Sequence, residues 1–180
     1  MKIDNQGWLT AIHQHPSPNF DKRPVDNDIS LLVIHNISLP PEQFGDNWIL
    51  DFFCNKLDPS AHPYFKTICD LEVSAHALIR RDGQIIQLVS FNDRAWHAGT
   101  SCYEGRESCN DFSIGIELEG SDHQPFEEQQ YQALSELTHT LIDHYPKLSK
   151  KTITGHSDIA PERKTDPGPF FDWEHYFSML

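Results

Sequence analysis

Two kinds of hydrophobic pattern in the chain predict β-strands. Residues 31–35 (LLVIH) form a continuous apolar run that ends in a histidine, which is typical of a buried strand. Residues 113–119 (SIGIELE) alternate instead, with an aliphatic face of Ile114, Ile116 and Leu118. The opposite face of this strand would carry Ser113, Gly115, Glu117 and Glu119.

Apolar residues at helical spacing predict three helices, over residues 47–57, 126–145 and 170–179. Pro125 precedes the first turn of the middle helix and Pro146 ends it. Strands interleaved with helices indicate an α/β domain.

An Asp-Gly pair at residues 82–83 separates two apolar runs, 74–80 and 84–89, which is a strong signal for a β-hairpin. This antiparallel pair makes the predicted central sheet mixed. Residues 151–154 (KTIT) predict one further short strand. The polar segment 92–112 is predicted to be a long functional loop.

Length and charge narrow the class of protein. The 180 residues suit a single domain over 1–180, in which residues 1–30 form an irregular lead-in. The formal net charge of −13 argues against binding to nucleic acid or to an anionic membrane surface. The amino-terminal residues lack the apolar core of a secretory signal, and no apolar run could span a bilayer, so we expect a cytoplasmic protein.

The four cysteines form no C-x-x-C pair, so we expect reduced structural thiols rather than a zinc ribbon or a redox motif. A Cys/His hydrolase that uses Cys102 or Cys109 is a weak alternative, because neither residue lies in a recognisable nucleophile motif.

Eleven histidines raise the question of a metal site. His35 and His156 lie where predicted strands end, and Asp166 lies in a proline-rich loop ten residues after His156. Two imidazoles and one carboxylate are a recurrent catalytic-zinc set that leaves a fourth position open. The spacing alone does not distinguish this set from chance, since some His/His/Asp triple can always be chosen among so many histidines.

Glu117 and Lys164 suggest acid–base and electrostatic roles. Glu117 projects from the non-aliphatic face of its strand, where Gly115 leaves room beside it, so it could act as a general base. The alternative is a solvated strand face, because Glu119 points the same way. Lys164 could stabilise an oxyanion next to a metal, or could be an ordinary surface lysine.

The chain resembles the AmpD family of N-acetylmuramoyl-L-alanine amidases over nearly its whole length. Six ungapped blocks in the same order carry the resemblance: SLLVIHNISLPP (30–41), AHPYF (61–65), VSAHALIRRDG (73–83), RAWHAG (94–99), GRESCNDFSIGIELEG (105–120) and TGHSDIAPERKTDPGP (154–169).

This resemblance implies a peptidoglycan-recognition-like fold and residue roles. It implies that His35, His156 and Asp166 bind Zn²⁺ and that Glu117 and Lys164 are catalytic. It further implies hydrolysis of the amide between the lactyl group of anhydro-N-acetylmuramic acid and L-Ala, during cytoplasmic peptidoglycan recycling. The expected partner is a small muropeptide, and no obligate protein partner is implied.

Six further residues could bind substrate, each with a structural alternative such as a turn amide, a core aromatic or a hydrogen-bonded histidine: Asn36, Tyr64, His76, Trp96, His97 and Arg106. The remaining seven histidines are assigned to the surface or to packing. Glu72 and Ser108 stand where similar sequences carry other residues, and could alter peptide preference if they touch the stem peptide.

Two functional alternatives stay open from the sequence. One is a non-catalytic muropeptide-binding module on the same fold, although such proteins typically lack a metal ligand. The other is a periplasmic amidase that acts on intact peptidoglycan, against which the lack of an export signal counts.

Overall fold

A six-stranded mixed sheet forms the centre of the structure, a computed structural model that describes residues 1–180. The strands are β1 (His13–Gln14), β2 (Phe20–Asp21), β3 (Leu31–Ile37), β4 (Ala77–Ile79), β5 (Ile85–Gln87), β6 (Arg94–Ala95), β7 (Cys102–Tyr103), β8 (Arg106–Glu107), β9 (Ser113–Glu119) and β10 (Ile153–Gly155). The helices are α1 (Trp48–Phe53), α2 (Glu128–His144), α3 (His156–Ile159) and α4 (Trp173–Ser178). Short 3-10 helices cover Pro63–Thr67, Cys109–Asp111 and Lys150–Thr152.

The central sheet has the strand order β1-β5-β4-β9-β3-β10. Strands β4, β9, β3 and β10 run parallel to one another, whereas β5 pairs antiparallel with β4 through the predicted Asp-Gly turn. Gly83 in this turn has φ 83°, a conformation that glycine adopts without steric cost. The prediction of an α/β domain with a mixed sheet is confirmed. The lead-in is less irregular than expected, because β1 pairs with β5 at the edge of the sheet.

Strand β9 lies in the middle of the sheet and is buried on both faces. Its aliphatic face joins the main core, in which Leu134, Leu137 and Leu141 of α2 are fully buried. Its other face is also covered, so the alternative of a solvated strand face is wrong for both Glu117 and Glu119. The buried carboxylate of Glu119 is a structural acceptor, which takes hydrogen bonds from the backbone N–H groups of Gly45 and Arg81 at 2.7 and 3.1 Å.

Several predicted elements are shorter than the sequence pattern indicates. The helix expected over 47–57 ends at Phe53, because Asn55 adopts a left-handed backbone with φ 58°. The segment 92–112 is not free of structure, since it contains β6, β7, β8 and a 3-10 helix. The long helix α2 lies within its predicted range. All four cysteines are free thiols, and no helix has both the length and the apolar character needed to cross a membrane.

Candidate active site

Three parallel strands bring three of the predicted residues together toward the carboxyl ends of these strands, which form one edge of the sheet. In the pairing of β3 with β9, His35 lies directly opposite Glu117, so both side chains project from the same face. Strand β10 pairs with the other side of β3, with Gly155 opposite Ile34. His156 follows Gly155 and is therefore held next to His35.

The predicted metal ligands converge at this edge. His35 Nδ1 and His156 Nδ1 are 3.0 Å apart, and Asp166 Oδ2 lies 2.8 Å from the first and 3.0 Å from the second. Both imidazoles are buried, at 1% and 2% exposure. His35, His156 and Asp166 thus offer three ligand atoms around one point, and they form a possible metal site.

The loop that carries Asp166 is held against the strands by several contacts. Ser157 donates its backbone N–H to the carbonyl of Asp166 at 2.9 Å, and Asn36 Nδ2 donates to the carbonyl of Pro167 at the same distance. Gly155 permits the close approach, since a Cβ there would lie 2.8 Å from Cδ of Pro167. The missing side chain at position 155 is therefore part of how the site is built.

The ring nitrogens that His35 and His156 direct to this point suit a divalent cation. Burial lowers the pKa of His35 to about 4, so its imidazole is neutral at pH 7. His156 Nε2 lies 3.0 Å from the carbonyl of Ala98 and must donate there, so Nδ1 is the ring nitrogen of His156 that is left to bind a metal ion. Two imidazole nitrogens and one carboxylate oxygen fit the ligand preference of zinc.

Glu117 is buried beside this group, and its Oε2 has no hydrogen-bond partner within the protein. Burial raises the pKa of Glu117 well above 4.5, Asp166 raises it further, and Lys164 opposes the change. A buried carboxylate oxygen without a partner is costly unless a water molecule or ligand group satisfies it. The arrangement is therefore suited to proton transfer in the cleft.

The cleft has a volume of about 390 Å³ and combines a polar end with an apolar one. The polar end contains the three ligand residues, Glu117 and the exposed side chain of Lys164. The apolar end is lined by Leu39, Phe52, Phe53, Ile68, Leu71 and Val73. A second cavity of about 410 Å³, lined mainly by polar residues, shares Asn36, Lys164 and Asp166 with the cleft.

Four of the six residues proposed to bind substrate line the cleft: Asn36, Tyr64, Trp96 and His97. Both amide hydrogens of Asn36 are used within the protein, by Asp122 Oδ1 at 2.7 Å and by the carbonyl of Pro167. The indole N–H of Trp96 is buried and has no partner in the protein. Trp96 therefore lines the cleft and carries an indole N–H that no protein group satisfies.

The other two residues, His76 and Arg106, do not line the cleft, so this expectation is corrected. His76 is fully buried, and its Nδ1 accepts a hydrogen bond from the backbone N–H of Gly115 at 3.0 Å. Arg106 stacks on the ring of Phe112, 3.7 Å from its centroid, and forms an ion pair with Asp28. These contacts account for His76 and Arg106 as structural residues.

The role expected for Gly115 also differs. Its missing side chain was expected to leave room beside Glu117, but the space is filled by the ring of His97. A Cβ on Gly115 would lie 2.4 Å from Cγ of His97. His97 contacts His35 Nε2 through Nδ1 at 2.9 Å and Ser113 Oγ through Nε2 at 3.1 Å.

Sequence reasoning missed two residues that fix the loop over the site. Asn110 Oδ1 accepts hydrogen bonds from the backbone N–H groups of His97 and Ala98, at 3.1 and 2.7 Å. Arg163 donates to the carbonyls of Ala98 and Thr100, both at 2.7 Å. Both residues lie inside the motif blocks quoted above, but spacing carries no signal for a side chain that bonds to a distant backbone.

Comparison with known proteins connects this geometry to a family. The family model for N-acetylmuramoyl-L-alanine amidase matches residues 25–169. The 1,6-anhydro-N-acetylmuramyl-L-alanine amidase AmpD of Haemophilus influenzae is 61% identical over 180 residues, which cover 100% of this chain and 98% of that protein. A crystal structure of a selenomethionine derivative of AmpD superposes with a TM-score of 0.96 at 56% identity, and covers 100% of this chain and 99% of that one.

A more distant structure contains a ligand. The amidase AmiD of Escherichia coli, in complex with the substrate anhydro-N-acetylmuramic acid-L-Ala-D-γ-Glu-L-Lys, matches with a TM-score of 0.64 at 30% identity. The match covers 98% of this chain and 65% of AmiD.

Proposed function

The chain belongs to the N-acetylmuramoyl-L-alanine amidase family and is an amidase, and from this premise we propose that it hydrolyses 1,6-anhydro-N-acetylmuramyl peptides. The bond cleaved joins the lactyl carbonyl of the sugar to the amine of L-Ala. The observation that carries the proposal is the convergence of His35, His156 and Asp166 beside the unpartnered carboxylate oxygen of Glu117.

In this proposal, His35, His156 and Asp166 hold one zinc ion. When bound, zinc would supply a Lewis acid and would lower the pKa of a water molecule to about 7. The donor set supports this assignment, because two imidazole nitrogens and one carboxylate oxygen leave one position open to water or substrate.

Glu117 is the proposed general base and then the general acid. Its free Oε2 takes a proton from the attacking water, and the same proton passes to the nitrogen of L-Ala when the carbon–nitrogen bond breaks. Its raised pKa favours the first step, because a carboxylate with a higher proton affinity accepts the proton of the attacking water more readily. Lys164, at the mouth of the same cleft, would stabilise the developing oxyanion.

The substrate assignment rests on the relatives and on the cleft. The relative in H. influenzae is a 1,6-anhydro-N-acetylmuramyl-L-alanine amidase, and the AmiD complex holds an anhydromuropeptide. The cleft joins an apolar end to a polar cavity, which suits a ligand with a sugar and a charged peptide on either side of the scissile bond. Trp96 would donate its free indole N–H to an acceptor on the substrate. We place the reaction in cytoplasmic peptidoglycan recycling, as the resemblance to AmpD implies.

Mass spectrometry of three parallel reactions tests this function. The purified protein is incubated with 1,6-anhydro-N-acetylmuramyl tripeptide, with the same tripeptide on non-anhydro N-acetylmuramic acid, and with intact peptidoglycan. We expect free tripeptide chiefly from the anhydro substrate. Release from intact peptidoglycan alone would favour the periplasmic type of amidase, and binding without release in zinc-containing buffer would contradict the catalytic proposal.

A further inference from the structure

The imidazole of His97 lies between a metal-ligand histidine and a buried serine. Its Nδ1 is 2.9 Å from His35 Nε2, and its Nε2 is 3.1 Å from Ser113 Oγ. No carboxylate contacts its ring. The side chains of Ser113, His97 and His35 therefore form a hydrogen-bonded relay that leads from strand β9 to the metal-ligand histidine.

The contact between Ser113 and the backbone of Cys109 determines which atom donates in each hydrogen bond of this relay. Ser113 Oγ lies 2.6 Å from the backbone carbonyl of Cys109, which can only accept a hydrogen bond. The single hydroxyl hydrogen of Ser113 is therefore committed to that carbonyl. Toward His97, Ser113 Oγ can only accept, so His97 Nε2 carries a hydrogen.

The donor and acceptor roles of the two ring nitrogens of His97 in turn determine those of His35. A neutral imidazole with its hydrogen on Nε2 has a bare Nδ1, and this nitrogen accepts from His35 Nε2. His35 then carries its hydrogen on Nε2, and the lone pair of its Nδ1 is directed to the point that His156 Nδ1 and Asp166 Oδ2 also face, where a cation would be held. We propose that Ser113 and His97 are positioning residues, whose relay sets the tautomer of His35 so that Nδ1 is ready to bind the metal ion.

His97 is held in this position from several sides. Asn110 Oδ1 accepts from its backbone N–H at 3.1 Å, and its ring lies against the bare Cα of Gly115. Behind the relay, the buried guanidinium of Arg23 donates to the carbonyls of Ser113 and Asn110, at 2.8 and 3.1 Å. These contacts fix the geometry of the relay before any metal binds.

The inference rests on the proposed metal site but makes a claim that turnover does not test. Metal-ligating histidines generally donate their second ring N–H to an acceptor, and loss of that acceptor costs about 10–100-fold in metal affinity or activity. Here the acceptor is another histidine, which is itself fixed by a serine that contacts neither metal nor substrate. Ser113 should therefore affect zinc binding through two intervening hydrogen bonds.

The test combines two deletions, one rescue and one matched control. Ser113→Ala removes the hydroxyl, His97→Phe replaces the imidazole with a ring that has no nitrogen, and Ser113→Thr restores the hydroxyl. Ser135→Ala is the control, because Ser135 is also a buried serine that donates to a carbonyl, that of Met179 at 3.0 Å, but forms no hydrogen bond with a histidine. Circular dichroism checks folding, and competition with a chromophoric chelator measures zinc affinity without substrate.

A second readout reports the tautomer directly. Long-range ¹H–¹⁵N spectra of the metal-free protein distinguish a bare from a protonated Nδ1 in His35. We expect a bare Nδ1 in the wild type and in Ser113→Thr, and a mixture of tautomers in the two deletion variants. Zinc affinity should fall by about 10–100-fold in both deletions and stay close to wild type in the control.

Unchanged zinc affinity and an unchanged His35 spectrum in both deletion variants would overturn the relay. A protonated Nδ1 in the metal-free wild type would overturn it as well. Neither result depends on hydrolysis of a muropeptide, so failure of the relay and failure of the proposed function remain distinguishable.

Discussion

Substitution of Gly115 by alanine tests how the site is packed. Gly115 lies on β9 between Ser113 and Glu117, and its Cα faces the ring of His97. An added Cβ would lie 2.4 Å from Cγ and 2.5 Å from Nδ1 of that ring, whereas ordinary contacts begin near 3.4 Å. The ring or the strand must therefore move by about 1 Å.

The size of this movement sets the expected effects. A shift of about 1 Å misaligns the 2.9 Å contact between His97 Nδ1 and His35 Nε2, since hydrogen bonds weaken steeply outside 2.7–3.2 Å. We expect a zinc affinity about 10–100-fold lower than that of the wild type. The overpacking should also lower the free energy of unfolding by about 1–3 kcal/mol.

Gly120→Ala is the matched control for the loss of stability. Its added Cβ would meet Cε1 of Phe126 at 2.3 Å, and Phe126 belongs to the main core rather than to the site. Urea denaturation of both metal-free variants measures stability, and chelator competition measures zinc affinity. Both variants should be destabilised, but only Gly115→Ala should lose zinc affinity. Equal zinc affinity in the two variants would refute this account of how Gly115 and His97 support the site.

Three further substitutions test Glu117 as the proposed general base, Lys164 as the proposed oxyanion-stabilising cation, and the buried Arg23. Glu117→Gln should keep zinc but slow turnover by about 10²–10⁴-fold. Because burial raises the pKa of Glu117, the wild-type protein loses stability as the pH rises through that pKa. Denaturation of the metal-free proteins should therefore show Glu117→Gln as the more stable at high pH, and absence of this gain would contradict the burial argument. Lys164→Met should lower kcat by about 10²–10³-fold with zinc retained. Since Lys164 lowers the pKa of Glu117, the acidic limb of the pH–rate profile should also move to higher pH. An unmoved profile with normal kcat would exclude a role for Lys164 in stabilising the oxyanion. Arg23→Met should lower the free energy of unfolding by about 2–4 kcal/mol in urea denaturation, because the carbonyls of four residues lose a buried donor; a neutral result would contradict this.

The sequence pattern was most informative where local periodicity dominates. The alternation in 113–119 correctly separated the aliphatic face of β9 from the face of Glu117, and the Asp-Gly turn located the hairpin. Helix boundaries were less accurate, because a single left-handed residue such as Asn55 ends α1 early.

Features that depend on packing between distant segments were not predictable from the pattern. The alternation could not tell whether the polar face of β9 meets solvent, since that depends on which loops cover it. It also suggested open space beside Gly115, whereas the ring of His97 returns from the 92–112 segment to fill it. The placement of Asp166 beside His35 and His156 depends on loop contacts with Asn36 and Ser157, which have no periodic signal.

Zinc content measured together with turnover, in the wild type and in Asp166→Ala, tests the central proposal most directly. The wild type should contain about one zinc ion per chain and release peptide from the anhydro-muramyl substrate. Asp166→Ala removes a carboxylate that lies within 3.0 Å of both ligand nitrogens, and it should be folded, free of zinc and inactive. Wild-type turnover by a folded, zinc-free Asp166→Ala protein would contradict the proposal.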